Sequence, residues 1–481
     1  MTSVPAGYPV ANNLLFITAD QWRGECLSCR GHFVQTPNLD ALAGEGVLFT
    51  NHFANTAPCG PSRASIHTGL YQYRHGVTFN DVPLDSRHTN WALEARGAGW
   101  DPVLFGYTDT VTGSRQDGVN HEGVLPGVEP IVQLGKSIQS PDAWVEWLRG
   151  KGHPIPESPV DLYMQTKGSP DSDPPAPLVV PAELHDTWFM VDQVIDYIAD
   201  RSGWCVHLSL LRPHPPWRAP EPYNRLYSPG DLPAPNRSDN PELEAAQHPF
   251  VALALELGHM RLSMDDKRVR GWRSGYFGLM TEVDHNLGRL FNALKQSGAW
   301  DETLIVFTSD HGEQAGDHWL MGKLGYFDES FHVPLVVYNP SSEASAHRGR
   351  RIDAFTEGVD IMPTLLDWLD VDIPDQSQGA SLLPATTRGS LGETWRSDVH
   401  WEFDFNRPHF NAGKALGLTG EQCRLTVLRD ACSKYVEFPG LRPAFYDLEN
   451  DPGESTNLEA DSGCRTRLEE AKSRLMAWRR R

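Results

Sequence analysis

The apolar residues of this chain gather into a few unbroken runs, and each run closes on polar or charged residues. Leu14-Leu15-Phe16-Ile17 leads through Thr18 and Ala19 to Asp20 and Gln21, and Leu304-Ile305-Val306-Phe307 leads through Thr308 and Ser309 to Asp310 and His311. Runs without polar alternation suit strands covered on both faces, as in a parallel sheet between helices. The stretches 101–106, 204–211 and 333–338 read the same way, and a short strand is expected at 47–49. Between them, helical patterning is expected from residue 40, over 62–69, near 90–98, and over 184–200, 270–297 and 360–369. Strand and helix in alternation predict an open α/β sheet, which collects its ligands at the carboxyl edge of the strands. Asp20, Asp310 and His214 all emerge at such an edge.

From about residue 380 the pattern changes to short strands at 398–402, 424–428 and 434–438, with a final helix over 464–480. This predicts a catalytic α/β domain over 1–380 and a small α+β subdomain over 381–481 with an antiparallel sheet. The Pro- and Gly-rich stretches 111–182 and 218–266 are read as irregular excursions, the first of them over the ligand-binding edge.

The net charge of −21 argues against a nucleic acid partner, so a small anionic substrate needs a local positive pocket. Residues 1–10 lack the basic start and apolar run of a secretory leader, and no stretch reaches the roughly 18 apolar residues of a membrane span. A cytoplasmic location without membrane attachment is expected. Seven cysteines, scattered and odd in number, fit a reducing compartment, and Cys26-x-x-Cys29 is read as two structural thiols.

The chemistry is concentrated in Ala57-Pro58-Cys59-Gly60-Pro61-Ser62-Arg63-Ala64-Ser65. Its Cys-x-Pro-Ser-Arg core would arise by chance in roughly one such chain in several hundred. The helix expected at 62–69 turns free N–H groups and a positive dipole end toward an anion beside Cys59.

These residues resemble the type I sulfatases and the related phosphonate monoester hydrolases of the alkaline phosphatase superfamily, whose cysteine is oxidised to formylglycine. The resemblance extends over nearly the whole chain, through Asp20-Gln21-Trp22-Arg23, Thr36-Pro37-Asn38-Leu39-Asp40, Ser309-Asp310-His311-Gly312 and Tyr446-Asp447-Leu448, to the final helix. It implies an alkaline-phosphatase-like α/β/α sandwich and hydrolysis of sulfate monoesters, phosphonate monoesters or phosphate diesters. By the same resemblance Asp20, Cys59, Asp310 and His311 hold one divalent metal, and Arg63 positions the nucleophile. Lys323 and His214 serve the leaving group and the non-bridging oxygens, while Gln21, Asn80, Tyr107 and Asp109 line the substrate pocket. His311, where sulfatases usually carry asparagine, softens the ligand set toward Mn²⁺, Fe²⁺ or Zn²⁺ rather than Ca²⁺, with Mn²⁺ favoured. Tyr107 and His311 follow the phosphonate branch, whereas Asp109 follows neither branch: it is turned away, protonated or paired with a cation. The implied partners are a small anionic ester, the formylglycine-generating enzyme and further copies of the chain in a homo-oligomer. The alternatives are a phosphatase or phosphodiesterase of the same superfamily without formylglycine, and a non-catalytic anion- or metal-binding relative.

Overall fold

The computed structural model describes residues 13–80, 82–114, 118–120, 123–134, 142–257, 265–407 and 411–480; residues 1–10, scanned above for a leader, lie outside the described residues. In chain order the strands are β1 (Asn13–Ala19), β2 (Val47–Phe53), β3 (Pro102–Gly106), β4 (Thr112–Ser114), β5 (Gly118–Asn120), β6 (Glu129–Gln133) and β7 (Cys205–Leu210). They continue with β8 (Thr303–Thr308), β9 (Leu335–Tyr338), β10 (Arg350–Glu357), β11 (Asp398–Asp404), β12 (Arg424–Asp430), β13 (Ser433–Glu437) and β14 (Ala444–Asp447). Eight of them form one sheet in the order β10-β2-β9-β8-β1-β7-β3-β6, in which β9 alone runs against its neighbours.

The expected buried strands lie at the centre of this sheet. Alternate residues face two cores: Ile17, Phe105, Leu208 and Phe307 pack on one side against the helices Asp186–Ile198 and Asp266–Ser297. Phe16, Leu104, Val306 and Leu335 pack on the other side, against helix Cys59–Thr68 and helix Ile361–Trp368. With both faces covered, no polar alternation is required, which is why the runs read as continuous.

Four strands that are consecutive in space, β8-β1-β7-β3, are parallel and deliver their carboxyl ends to one edge. Thr18 pairs with Thr308 on one side and Ser209 on the other, so Asp20 and Asp310, each two residues on, stand in the same row. Gly106 closes β3 at φ 118°, and a Cβ there would meet the Ser209 carbonyl at 2.0 Å. Only glycine permits that approach.

The edge strands β6 and β10 were not foreseen, because charged residues and Pro130 interrupt their apolar pattern, as suits the borders of a sheet. The stretch 111–182, expected to be irregular, holds the β4–β5 hairpin, β6 and the helices Asp142–Gly150 and Asp161–Met164. Likewise 218–266 holds the helices Pro241–Gln247 and Pro249–Glu256.

The remaining four strands form the antiparallel sheet β11-β12-β13-β14. Helix Arg465–Trp478 covers it through Leu468, Leu475 and Trp478 against Leu428, Tyr435 and Phe445. Leu382 and Ala385 still belong to the core of the large sheet. The two sheets are fastened by Lys434, fully buried, whose ammonium lies 2.6 Å from Asp328, contacts Glu454 and donates to the Tyr326 carbonyl at 3.1 Å. Burial pushes the Asp328 carboxyl up, but Lys434 and Arg429 outweigh it and hold the group well below the ordinary carboxylate range.

Lys434→Met is therefore expected to destabilise the protein by about 3 kcal/mol at pH 7, since it removes the cation from the buried Glu454 and the partly buried Asp328. A depressed carboxylate stabilises the fold above its unfolded pKa and ceases to do so as the pH falls through its folded value, so the deficit should narrow below about pH 4. Urea unfolding of both proteins at pH 7 and at acid pH measures it; a deficit independent of pH would contradict this origin.

Candidate active site

Helix Cys59–Thr68 starts three residues before the position expected, so Cys59 itself occupies its first turn. The Asn80 side chain accepts from the Gly60 N–H at 3.0 Å, which fixes Asn80 beside that turn. From here the buried Cys59 thiol lies 3.0 Å from Lys323 Nζ, 3.3 Å from His311 Nε2 and 3.9 Å from Asp20 Oδ1. Ligand atoms of Asp20, Cys59, Asp310 and His311 all fall within 4.8 Å of one another, and all four residues are buried.

These residues fit a divalent cation. His311 Nδ1 donates to the Gly312 carbonyl at 3.0 Å, which leaves the Nε2 lone pair facing the cluster. Burial and the neighbouring Asp20 push the Asp310 carboxyl above its ordinary value, the mark of two carboxylates sharing one place without enough positive charge.

Arg63 supplies part of that charge. Its Nε donates to Asp310 at 3.0 Å, its Nη2 to Asp20 at 3.2 Å, and its Nη1 to Ser209 Oγ at 2.8 Å and the Tyr107 carbonyl at 3.2 Å. The Tyr107 ring lies under the guanidinium at 4.4 Å, and its hydroxyl donates to Asp20. The hydrogen bonds of Arg63 thus go to the proposed metal ligands and their supports.

Lys323 Nζ also donates to Gln21 Oε1 at 2.9 Å, and Gln21 in turn donates to Glu313. Burial disfavours the ammonium, but Cys59, Asp20 and Asp310 outweigh it and hold Lys323 above its usual range, so it stays charged. Burial and Asp20 push the Cys59 thiol well up, against the pull of Lys323. A thiolate nucleophile is disfavoured here.

His214 follows β7, and its Nδ1 donates to the Pro215 carbonyl at 2.7 Å. Burial and then Lys323 lower the imidazole to about 3, so the ring is neutral and must gain a proton before giving one away. The charge of a bound anion favours that step. Asp109 is 8% exposed, has φ 49°, and accepts no hydrogen bond among the described residues. Burial raises it to about 7, against the pull of Arg63, so it is not locked as an anion by an ion pair.

The model of the sulfatase family matches residues 12–371, and that of the N-sulphoglucosamine sulphohydrolase C-terminal region matches 316–481. The chain belongs to the sulfatase family. It is 37% identical over 492 residues to the multifunctional alkaline phosphatase superfamily protein PehA of Trinickia caryophylli, covering 97% of this chain and 95% of the relative. It is 30% identical to an arylsulfatase of Clostridium perfringens, covering 93% and 90%. In structure it superposes on the phosphonate monoester hydrolase of Agrobacterium radiobacter with a TM-score of 0.90 at 42% identity, covering 97% and 95%. The alkaline-phosphatase-like fold follows, and the protein is a sulfatase-family hydrolase.

Sequence reading gave no role to several residues on which this sulfatase-family site rests. Glu313 is fully buried, accepts from Gln21 and from the backbone N–H groups of Ala315 at 2.9 Å and Gly322 at 2.6 Å, and so sets the Gln21 amide that faces Lys323. Ser62 donates to the Asp310 carbonyl, and Ser209 accepts from Arg63. Arg212 donates to the carbonyls of His214 at 2.8 Å and Pro216 at 3.3 Å, and to Asp186 at 3.4 Å. Only the Ser-Arg spacing of the motif hinted at Ser62; the Gln21–Glu313, Arg63–Ser209 and Arg212–Asp186 contacts join segments far apart in the sequence. Among the described residues the seven cysteines are free thiols. Among the described residues no helix is long and apolar enough to cross a membrane.

Stripping divalent ions with a chelator should lower the thermal midpoint, and Mn²⁺ should restore it in a concentration-dependent way, worth about 4 kcal/mol at a thousandfold excess over Kd. Asp310→Asn should lose most of that response. A midpoint indifferent to chelator and Mn²⁺ would show that the four residues hold no ion.

Proposed function

We propose that the protein is a formylglycine-dependent hydrolase of phosphonate monoesters, phosphate diesters and sulfate monoesters, acting through a nucleophile made from Cys59. The reading rests on one observation: the Cys59 thiol sits within the cluster of Asp20, Asp310 and His311, 3.0 Å from Lys323. The sulfur marks the place of a hydroxyl oxygen of the hydrated aldehyde. Conversion requires the formylglycine-generating enzyme, so that enzyme is the proposed partner in maturation. A divalent metal, Mn²⁺ by preference, would be held by Asp20, Asp310, His311 and residue 59 and would lower the pKa of the diol.

One hydroxyl of the diol attacks phosphorus or sulfur and the bond to the leaving oxygen breaks. The leaving oxygen takes a proton supplied through Lys323 or His214. The second hydroxyl then loses its proton, the carbon–oxygen bond to the esterified oxygen breaks, and the aldehyde is regenerated with release of the phosphonate, phosphate monoester or sulfate. No water attacks the crowded ester, which a serine in the same place would require. Lys323 and the first turn of helix Cys59–Thr68 face the negative charge that grows on the non-bridging oxygens.

The branch is favoured by Tyr107 on Asp20 and by His311 as the nitrogen donor, and by the 42% identity to a phosphonate monoester hydrolase. Because these monoanionic esters share charge and geometry in the transition state, activity on more than one of them is expected.

Protein produced with the maturing enzyme should carry a peptide about 18 Da lighter than its cysteine form, and Cys59→Ala should lose at least about a thousandfold in kcat/KM with the fold intact by circular dichroism. Full activity from an unmodified thiol would remove the mechanism.

A further inference from the structure

A cavity of about 310 Å³ opens beside Gln21 and takes no part in the chemistry above. Its walls include Pro175, Pro216, Trp217, Trp272 and Met321. Gln21 joins it to the reacting centre, since Gln21 Oε1 accepts from Lys323 and Lys323 lies against Cys59. Pro215 and Pro216, which directly follow His214, form the near wall. A leaving oxygen served by Lys323 or His214 therefore carries its substituent toward this cavity.

The walls combine apolar faces of Trp217, Trp272, Pro175 and Pro216 with polar or charged side chains that include Asn224, Arg218 and Arg268. An aromatic ring is the group whose apolar surface the two tryptophans and the prolines can cover. Two polar atoms of the lining residues are unsatisfied. Trp217 Nε1 and Asn224 Oδ1 are buried without a hydrogen-bond partner, although Asn224 Nδ2 donates to the Pro175 carbonyl at 2.8 Å. Of the charged residues lining the cavity, Arg268 lies 3.7 Å from Asp171, and Glu313 is held by Gln21 and two backbone N–H groups. Arg218 also lines it, and among the described residues no carboxylate pairs with its guanidinium.

We propose that this cavity is the leaving-group subsite and that it selects an aryl alcohol bearing an anionic substituent, for which Arg218 is the counter-ion. The inference rests on the ester hydrolysis proposed above and adds the class of the group released. A planar carboxylate matches the donor fork of a guanidinium, and the aromatic ring is buried at little cost in conformational freedom.

The free product tests the subsite without catalysis. 4-Hydroxybenzoate, phenol and tyramine would be titrated calorimetrically into the full-length protein. 4-Hydroxybenzoate should bind at least about tenfold more tightly than either of the others, and Arg218→Gln should remove that preference. At Gly271, which also lines the cavity, a Cβ would meet only Pro175 Cγ, at 4.0 Å, so Gly271→Leu adds bulk without clashing at the backbone and should weaken all three ligands. In matured, metal-loaded enzyme the ratio of kcat/KM for 4-carboxyphenyl over phenyl methylphosphonate should fall about tenfold in Arg218→Gln. Equal binding of the three phenols, a preference for tyramine, or an unchanged ratio in Arg218→Gln would overturn the proposal. Selective binding with no turnover of any ester would instead remove the hydrolytic reading, and with it the leaving-group role, while the ligand class stood.

Discussion

Two carboxylates, Asp20 and Asp310, are buried side by side, and the rest of the site is arranged to make that tolerable. Parallel pairing of β1 and β8 forces the arrangement, since any register that matches Thr18 with Thr308 brings the two acids to one row. In a low-dielectric interior each such charge costs several kcal/mol unless it is met. Arg63 donates to both, Tyr107 and the Gln21 N–H contribute further bonds, and Lys323 stands beside them. The concentration of positive charge that makes the acids bearable is also what an anionic ester requires.

That economy explains what could be read from the sequence and what could not. The central strands were legible because burial on both faces leaves an unbroken apolar run, and Asp20 and Asp310 were legible because each closes such a run. The Cys-x-Pro-Ser-Arg motif is local, so it announced itself, although its helix begins at Cys59 rather than Ser62. Edge strands β6 and β10 were hidden by the polar residues that edges carry. Glu313 was hidden for a different reason: its side-chain partner Gln21 lies in a distant segment, and no spacing along the chain records such a contact.

Asp109 shows the limit of reading a residue from its type alone. A carboxylate at the mouth of an anion site looks like a contradiction, and pairing with a cation was one resolution. Among the described residues no such pair exists, and burial instead lifts the group to about 7. A carboxyl that shares its proton near neutrality costs an incoming anion less than a fixed charge, and when protonated it can donate a hydrogen bond. Its presence is compatible with a monoanionic ester and works against a dianion, which agrees with the substrate class proposed above.

The small sheet is bound into the site as well as into the fold. Glu402 on β11 donates its N–H to the Asn55 carbonyl at 2.9 Å, four residues before Cys59. The Asn55 amide donates to Glu357 at 3.1 Å, and Glu357 also receives the Tyr71 hydroxyl at 2.7 Å, the His400 N–H at 2.8 Å and the Arg396 guanidinium at 2.8 Å. Four donors, from three segments of the chain, meet on this one buried carboxylate and hold it in place, although burial still raises it to about 7. The backbone that presents residue 59 is thus held from behind by β10, β11 and the turn at Tyr71. If residue 59 is the nucleophile proposed above, it needs such support, because a shift of one ångström beside Lys323 and His311 would be felt directly in the rate.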